Sequence, residues 1–169
     1  MWIFKIAVVC LLAFVSVWYF GQKVSTVGDS MKPILRNGDV VLVNRIVYNA
    51  SRPKRGDIIV FKSSLLDDNG KPKYLIKRII GLPGDTIAIE DGYVILNGQT
   101  IQEPYVAEQG MSGEMEEITV EEGKLFVMGD NRYVSQDSRS PAVGQIDEDT
   151  VLGKVVLRIF PFNSIEYFG

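Results

Sequence analysis

The sequence predicts a mainly β fold: an antiparallel domain of barrel-like or sandwich form, preceded by one N-terminal transmembrane helix. Short apolar runs bounded by glycine, proline, asparagine and aspartate recur after residue 22, and no long amphipathic helical period appears there. A long apolar segment stands at the N-terminus. We therefore divide the chain into an anchor, residues 1–22, and a β domain, residues 23–169. Within the β domain, residues 97–123 form a small insertion or exposed excursion.

The N-terminal segment has the length and composition of a membrane anchor. It is apolar from Ile6 to Phe20 apart from one serine, and with the residues before Lys5 it reaches ~20 residues, enough to cross a bilayer. Lys5 can extend to one interface, and Trp18 and Tyr19 suit the other. Two alternatives are less favoured: a cleaved signal peptide, because small residues are missing at its end, and a buried core helix, because the run is apolar on every side.

The charges around this segment indicate an orientation. Lys5 and the amino terminus precede the apolar run. Positive charge is retained on the cytoplasmic side of a bilayer. We therefore expect a single-pass protein of the cell membrane, with its N-terminus in the cytoplasm and its β domain on the extracytoplasmic side.

Composition narrows the chemistry that is open to the β domain. The chain contains no histidine, and its one cysteine, Cys10, lies in the apolar N-terminus. A Ser-His-Asp triad, a histidine-ligated zinc or haem and an intrachain disulfide are therefore excluded, and we expect no metal site and no cofactor. The 18 basic and 21 acidic residues give a net charge of −3, which argues against a nucleic-acid partner.

The predicted strands share one pattern, a short apolar run between turn residues. They are Val40–Val43, Ile58–Phe61, Tyr74–Ile80, Thr86–Glu90, Tyr93–Leu96, Thr100–Ile101, Leu125–Met128 and Val151–Phe160. The polar stretch Ser63–Lys73 is expected to be a loop, and the acid-rich stretch Glu103–Glu122 to be exposed. Many short strands with glycine and proline punctuation are typical of a barrel or a sandwich.

Ser30 lies in the stretch Gly28–Leu35, which begins about ten residues after the apolar segment ends. Glycine and aspartate before it, and proline just after it, are typical of a turn. A serine there can simply cap the turn. It can also be a nucleophile held by a rigid backbone, provided that the chain offers a base for its hydroxyl.

Lysine is the base that remains when histidine is absent. A lysine must lose ~3 units from its ordinary pKa of ~10.4 to be a base near pH 7, and burial among apolar groups can cause such a shift. Lys77 lies within a predicted strand, on the same face as Leu75 and Ile79 by strand alternation. The alternative is an exposed strand lysine. The lysines among polar or turn residues are expected in solvent: Lys54, Lys62, Lys71 and Lys73.

A polar cluster from Gly129 to Arg139 follows a predicted strand. It is either a solvated loop or a set of side chains that supports the site. In the second interpretation Ser135 orients an amine, and Asp137 with Arg139 braces the loop.

Four motifs in this order resemble those of type I signal peptidases, the membrane-anchored Ser-Lys serine proteases of the bacterial leader peptidase family. They are Ser30–Leu35; Gly38-Asp39 with Val41–Val43; Lys77–Asp85; and Gly129–Arg132 with Ser135, Asp137, Ser138, Arg139 and Gly144. With the anchor, the resemblance covers nearly the whole chain. It implies an antiparallel β domain that removes signal peptides from exported proteins by cutting after small residues, in the Ala-x-Ala pattern, outside the membrane. The implied partners are the signal peptides of exported preproteins and the lipid bilayer.

The resemblance also implies roles for residues. Ser30 is the nucleophile and Lys77 the general base of a dyad that works through an acyl-enzyme. The supporting residues are Ser135, which holds the lysine amine, Asp130, Asp137 and Arg139. The backbone N–H of Ser30 is the expected oxyanion donor. Gly28 stands where some members have a serine that donates to the oxyanion, so a second donor is unassigned.

The substrate is expected to lie extended along a strand edge, with its small side chains in shallow apolar pockets. Met31, Leu35 and Ile76 are the predicted walls of those pockets. Two other functions stay open: another Ser-Lys protease of similar fold, such as a self-cleaving repressor, and a catalytically silent membrane-tethered β module that binds exported chains.

Overall fold

The computed structural model describes residues 2–107 and 113–168, without the side chains of residues 12–20 and 50. Helix α1, Trp2–Phe20, occupies most of the predicted anchor and leads directly into the first strand. Among the described residues, no helix is long and apolar enough to cross a bilayer, so the predicted transmembrane helix is not found there. The side chains of residues 12–20, on which much of that prediction depends, lie outside the description.

The β domain is built from short strands in two sheets. The strands are β1 Gly21–Ser25, β2 Val40–Asn44, β3 Ile58–Leu66, β4 Pro72–Gly81, β5 Thr86–Glu90, β6 Tyr93–Leu96, β7 Gln99–Thr100, β8 Met115–Thr119, β9 Lys124–Met128, β10 Ile146–Asp147, β11 Val151–Phe160 and β12 Glu166–Tyr167. The helical elements after α1 are short: α2 Val47–Ala50 and the 3-10 turns Glu148–Thr150 and Phe162–Ser164. The prediction of a mainly β, antiparallel domain is confirmed.

The larger sheet has the strand order β1-β2-β11-β3-β4-β9-β10, with β12 paired to β11. Its described strand pairs are all antiparallel. In the part of the chain that the structure describes, the two end strands, β1 and β10, do not pair with each other, so this sheet is open. The barrel-like form predicted from the sequence is therefore wrong, because strand alternation predicts strands but not whether their ends meet.

The smaller sheet has the order β7-β6-β5-β8 and packs against β4 and β9. Alternation along the strands sends side chains into separate cores. In β3, Ile58 and Val60 face a core with Met31 and Leu35, whereas the next residue in each case, Ile59 or Phe61, enters a core on the other face. Burial on both faces explains why β3 is a continuous apolar run rather than an alternating one.

The loop predicted over Ser63–Lys73 is wrong for most of its length. Strand β3 continues to Leu66 and β4 begins at Pro72, and the hydroxyl of Ser63 donates a hydrogen bond to the carbonyl of Lys73 at 2.8 Å. The polar residues there are mostly exposed on an extended hairpin, which costs them no desolvation. Strands β1, β8, β10 and β12 were not predicted, because their residues are polar or the strands are very short.

Candidate active site

Ser30 lies in the turn segment between β1 and β2. Met31 and Leu35 beside it are almost fully buried, and the Leu35 N–H donates to the Met31 carbonyl at 2.9 Å. The carbonyl of Ser30 accepts a hydrogen bond from the Asn131 N–H at 3.0 Å. The buried side chains of Met31 and Leu35 and the hydrogen bond from Asn131 fix the backbone of Ser30. The Ser30 hydroxyl therefore projects from a rigid main chain.

Lys77 lies on β4, and only 2% of its surface is exposed. Its Nζ is 2.7 Å from Ser30 Oγ, which is hydrogen-bond distance. Burial lowers the pKa of Lys77 from 10.5 to about 8, and the Arg139 charge acts in the same direction, against Asp137 and Asp130, which raise it. The structure therefore brings together the two residues that the sequence identified separately.

The lowered pKa changes how much free amine is available. At pH 7 roughly a tenth of a lysine with this pKa is neutral, compared with a few molecules in ten thousand for a solvated lysine. A neutral amine can accept the proton of the Ser30 hydroxyl, whereas the protonated amine donates to that hydroxyl and leaves it unreactive.

The buried Asp137 pairs with the partly buried Arg139, and both charges act on Lys77. The Arg139 Nε donates to Asp137 Oδ1 at 2.8 Å and its Nη2 to Oδ2 at 2.9 Å, while the Gly129 N–H donates to Oδ2 at 3.0 Å. Burial opposes ionisation of Asp137, but these hydrogen bonds and the Arg139 charge hold its pKa below the ordinary value. The two residues that are predicted to brace the loop are therefore in contact with each other.

Ser135 lies close to the pair but is not joined to Lys77 in this structure. Its Oγ is buried and has no hydrogen-bond partner by distance and angle among the described residues, although it lies near enough to Asp137 to help lower the pKa of that carboxyl. A Cβ at Gly129 would fall 2.2 Å from Ser135 Oγ and 2.4 Å from the Ser30 carbonyl oxygen. Glycine at residue 129 thus lets the loop approach Ser30.

Asp130 makes a bidentate pair with Arg78, the residue after Lys77. The Nε–Oδ1 distance is 2.8 Å and the Nη2–Oδ2 distance is 2.6 Å. The guanidinium also lies 4.0 Å from the ring centroid of Tyr105. This pair ties β4 to the loop that follows β9, which fixes Lys77 relative to that loop.

A second buried ion pair joins Glu103 and Arg132. The Arg132 Nη1 donates to Glu103 Oε2 at 2.6 Å, its Nη2 donates to the other oxygen, and its Nε donates to the Gly129 carbonyl at 3.0 Å. The Tyr105 hydroxyl donates to Glu103 at 2.8 Å. Sequence reasoning missed Glu103, because it opens an acid-rich stretch that was expected to be exposed.

A groove of about 70 Å³ contains Ser30 and Lys77 in its lining. It is lined by Val24–Gly28, Ser30, Met31, Leu35 and Tyr74–Lys77. The predicted walls Met31, Leu35 and Ile76 all line it. Strand β1 pairs only with β2, and β4 pairs with β9 only from Arg78 onwards, so two unpaired strand edges border this groove in the described part of the chain.

The candidate oxyanion donors differ in availability. The Ser30 N–H donates to no group among the described residues. The Gly28 N–H is engaged with the Asn37 side chain at 3.1 Å. Gly28 has a φ of +84°, a conformation that strains a residue with a Cβ, which suits glycine rather than serine at this position.

No group of three or more His, Cys, Asp or Glu side chains that could hold a metal ion is found in residues 2–107 and 113–168. A serine hydroxyl beside a buried lysine, on a β scaffold without histidine, is the arrangement of serine hydrolases that use lysine as the base.

Comparisons with known proteins define the family. The family model described as "Signal peptidase, peptidase S26" matches residues 1–160. A protein from Bacillus licheniformis named signal peptidase I is 35% identical over 173 residues, which cover 97% of this chain and 90% of that protein. Signal peptidase IB of Staphylococcus aureus strain MRSA252 is 33% identical over 183 residues, covering 98% and 92%.

A solved structure adds to these matches. The crystal structure of a signal peptidase I from Enterococcus faecalis V583 has a TM-score of 0.53 and 31% sequence identity, over 63% of this chain and 98% of that one. The chain belongs to the signal peptidase family, peptidase S26. It is a serine endopeptidase of the signal peptidase I kind, so the resemblance seen in the motifs and the predicted enzyme class are confirmed.

Proposed function

We propose that this protein removes N-terminal signal peptides from exported proteins and cuts after small residues, in the Ala-x-Ala pattern. The reaction uses a dyad of Ser30 and Lys77 and an acyl-enzyme. The observation that carries the proposal is the 2.7 Å separation of Lys77 Nζ and Ser30 Oγ in a chain without histidine. Membership of the signal peptidase family favours this function over a self-cleaving repressor or a silent binding module.

Acylation follows from this geometry. Neutral Lys77 accepts the proton of the Ser30 hydroxyl as Oγ forms a bond to the carbonyl carbon before the scissile bond. The negative charge on the carbonyl oxygen is stabilised by the Ser30 N–H. Protonated Lys77 then donates to the leaving nitrogen, the C–N bond breaks, and the signal peptide stays attached to Ser30 as an ester.

In deacylation Lys77 activates a water molecule instead of Ser30. Lys77, neutral again, takes a proton from water, whose oxygen attacks the ester carbonyl. The bond to Ser30 Oγ breaks and the hydroxyl regains a proton from Lys77. Asp137, Arg139 and Asp130 do not touch the reacting atoms, and their pairs hold the lysine and the Gly129–Arg139 loop in place.

The groove supports an extended substrate. The free edges of β1 and of residues 72–77 in β4 can each offer main-chain hydrogen bonds to a strand laid between them. A volume of about 70 Å³ suits small side chains. We propose that Met31, Leu35 and Ile76 form the walls that exclude larger ones.

We also propose that residues 1–22 anchor the protein in the cell membrane with the β domain on the extracytoplasmic side. Support comes from the sequence: an apolar run of about the thickness of a bilayer, followed within ten residues by Ser30. The protein should stay in the membrane fraction after alkaline carbonate extraction, and externally added protease should digest the β domain of intact spheroplasts. Release by carbonate would contradict the anchor.

Cleavage of a preprotein tests the proposed function. The full-length chain in detergent is mixed with an exported preprotein, and the new N-terminus is read by mass spectrometry. We expect a single cut after Ala-x-Ala, loss of the cut when the residue before it is changed to phenylalanine, and an ester adduct on Ser30. A Ser30→Ala variant that still cuts, or cuts scattered over the mature region, would exclude the proposal.

The pH profile of this reaction should follow the Lys77 amine. Because burial lowers its pKa to about 8, kcat/KM should fall about tenfold for each unit below pH 8 and level off above it. The measurement is kcat/KM between pH 6 and about 9 on a peptide without titrating groups, with circular dichroism as a control for folding. A profile that is flat over this range would show that Lys77 is not the base.

A further inference from the structure

A second cavity lies beside the nucleophile, on the other side of the turn that carries it. It has a volume of about 460 Å³ and is lined by Lys32, Pro33, Arg36, Ala107 and Asp130–Tyr133. It shares no lining residue with the groove at Ser30 and Lys77. Asn131 joins the two regions, because its N–H donates to the Ser30 carbonyl at 3.0 Å.

The turn at residues 30–34 separates the two spaces. The Leu35 N–H donates to the Met31 carbonyl, and both side chains face the groove and the core behind it. Lys32 and Arg36, which follow them in the chain, line the cavity instead. A peptide that passes over Ser30 therefore leaves the apolar groove and meets a charged space.

Among the residues that the structure describes, one cation of this cavity has no counterion. Its buried ions are each matched, Arg132 by Glu103 and Asp130 by Arg78. The exposed Lys32 lies 2.9 Å from Asp29. The Arg36 side chain is exposed and forms no ion pair in the described part of the chain, since the nearby Asp39 carboxylate pairs with Arg158 and accepts from the backbone N–H of residue 36.

We propose that this cavity receives the first residues of the mature chain, just after the scissile bond, and that Arg36 favours an acidic side chain among them. The inference rests on the proposed function, because it requires Ser30 to attack a peptide bond whose two sides lie in the groove and in the cavity. Arg36 is a specificity residue for the leaving part of the substrate, separate from the selection of small residues before the cut.

Peptides with matched sequences test this inference. One series keeps the residues before the cut and moves a single Glu, Lys or Ser through the first positions after it. We expect the full-length enzyme to favour Glu over Lys by roughly two- to fivefold in kcat/KM at the best position, because exposed ion pairs are weak. The preference should fade in about 0.5 M salt.

Charge reversal provides the decisive variant. Arg36→Glu should invert the preference and favour Lys, and Arg36→Ala should abolish it. The control is Arg52→Ala, which removes an exposed arginine that lines neither space and should leave the preference unchanged. The ratio of two substrates on one enzyme is independent of how much of a variant is folded.

The possible negative results show which of the two claims fails, the role of Arg36 or the proposed function. Equal cleavage of the Glu, Lys and Ser peptides by the unchanged enzyme, or a Glu preference that survives Arg36→Glu, would overturn the role of Arg36 while the signal-peptidase reaction stands. No cleavage of any peptide or preprotein would instead overturn the proposed function.

Discussion

Replacing Lys77 with methionine is expected to lower kcat/KM for preprotein cleavage by a factor on the order of 10⁶, the scale found when the base of a serine protease is removed. Methionine is of similar length and apolar, so the packing around the site is kept while the proton acceptor 2.7 Å from Ser30 Oγ is lost. Initial rates over a range of substrate concentrations give kcat/KM. Binding of an uncleaved substrate should be nearly unchanged.

The matched control for this variant is Lys73→Met, which changes an exposed lysine on the same strand. It should keep the activity of the unchanged enzyme. If Lys77→Met retains more than about a hundredth of kcat/KM while folding normally, another group takes the Ser30 proton and the dyad is wrong.

The same variant should be more stable at neutral pH. Folding lowers the pKa of Lys77 from 10.5 to about 8, so below pH 8 the folded state carries the cost of a buried ammonium, about 3 kcal/mol at 1.36 kcal/mol per unit. Between pH 8 and 10.5 the unfolded state binds more protons, so the stability of the unchanged protein rises with pH. The advantage of Lys77→Met should therefore shrink across this window in urea unfolding, and a constant difference would contradict the lowered pKa.

Glu103→Ala is expected to lower the free energy of unfolding by about 3–5 kcal/mol, because it leaves the Arg132 guanidinium buried without its counterion. The side chains of the pair are only 1% and 5% exposed. Arg132 also holds the Gly129 carbonyl, and Arg139 donates to the Arg132 carbonyl at 2.9 Å, so activity should fall as the loop loses its position. Denaturant unfolding in detergent measures the stability change.

Two further variants serve as controls for the stability change of Glu103→Ala. Glu103→Gln keeps the shape and part of the hydrogen bonding and should lose less stability than the alanine variant. Glu122→Ala removes an exposed acid from the same stretch of chain and should change stability by less than about 0.5 kcal/mol. Equal effects of Glu103→Ala and Glu122→Ala would show that the buried pair contributes nothing to stability.

Strands could be predicted where burial leaves a pattern in a short window. β5, β6 and β11 begin and end at the predicted residues. β1 could not be predicted, because its residues, Gly21–Ser25, are mostly polar and exposed and its position is set by pairing with β2. The fact that residues of β1 and β4 line one groove has no local signal in the sequence either.

In the candidate site, too, the residue types could be predicted locally, whereas the long-range contacts could not. Ser30 and Lys77 could be identified by residue type and neighbours, but their contact joins positions 47 apart and depends on the fold. Glu103 could not be identified, because its partner lies 29 positions away and an acid within an acid-rich stretch carries no signal of burial. Ser135 was expected to hold the Lys77 amine, and in the structure its hydroxyl is buried beside Asp137 instead.

The pKa of Lys77 tests the central claim, an uncharged amine that serves Ser30, most directly. Lysine labelled with ¹⁵N gives side-chain NMR signals whose pH titration can be followed, and the Lys77 signal is the one missing from Lys77→Met. A midpoint near 8 is the predicted result. A midpoint close to 10.5 would show that the amine is charged at neutral pH and cannot be the base.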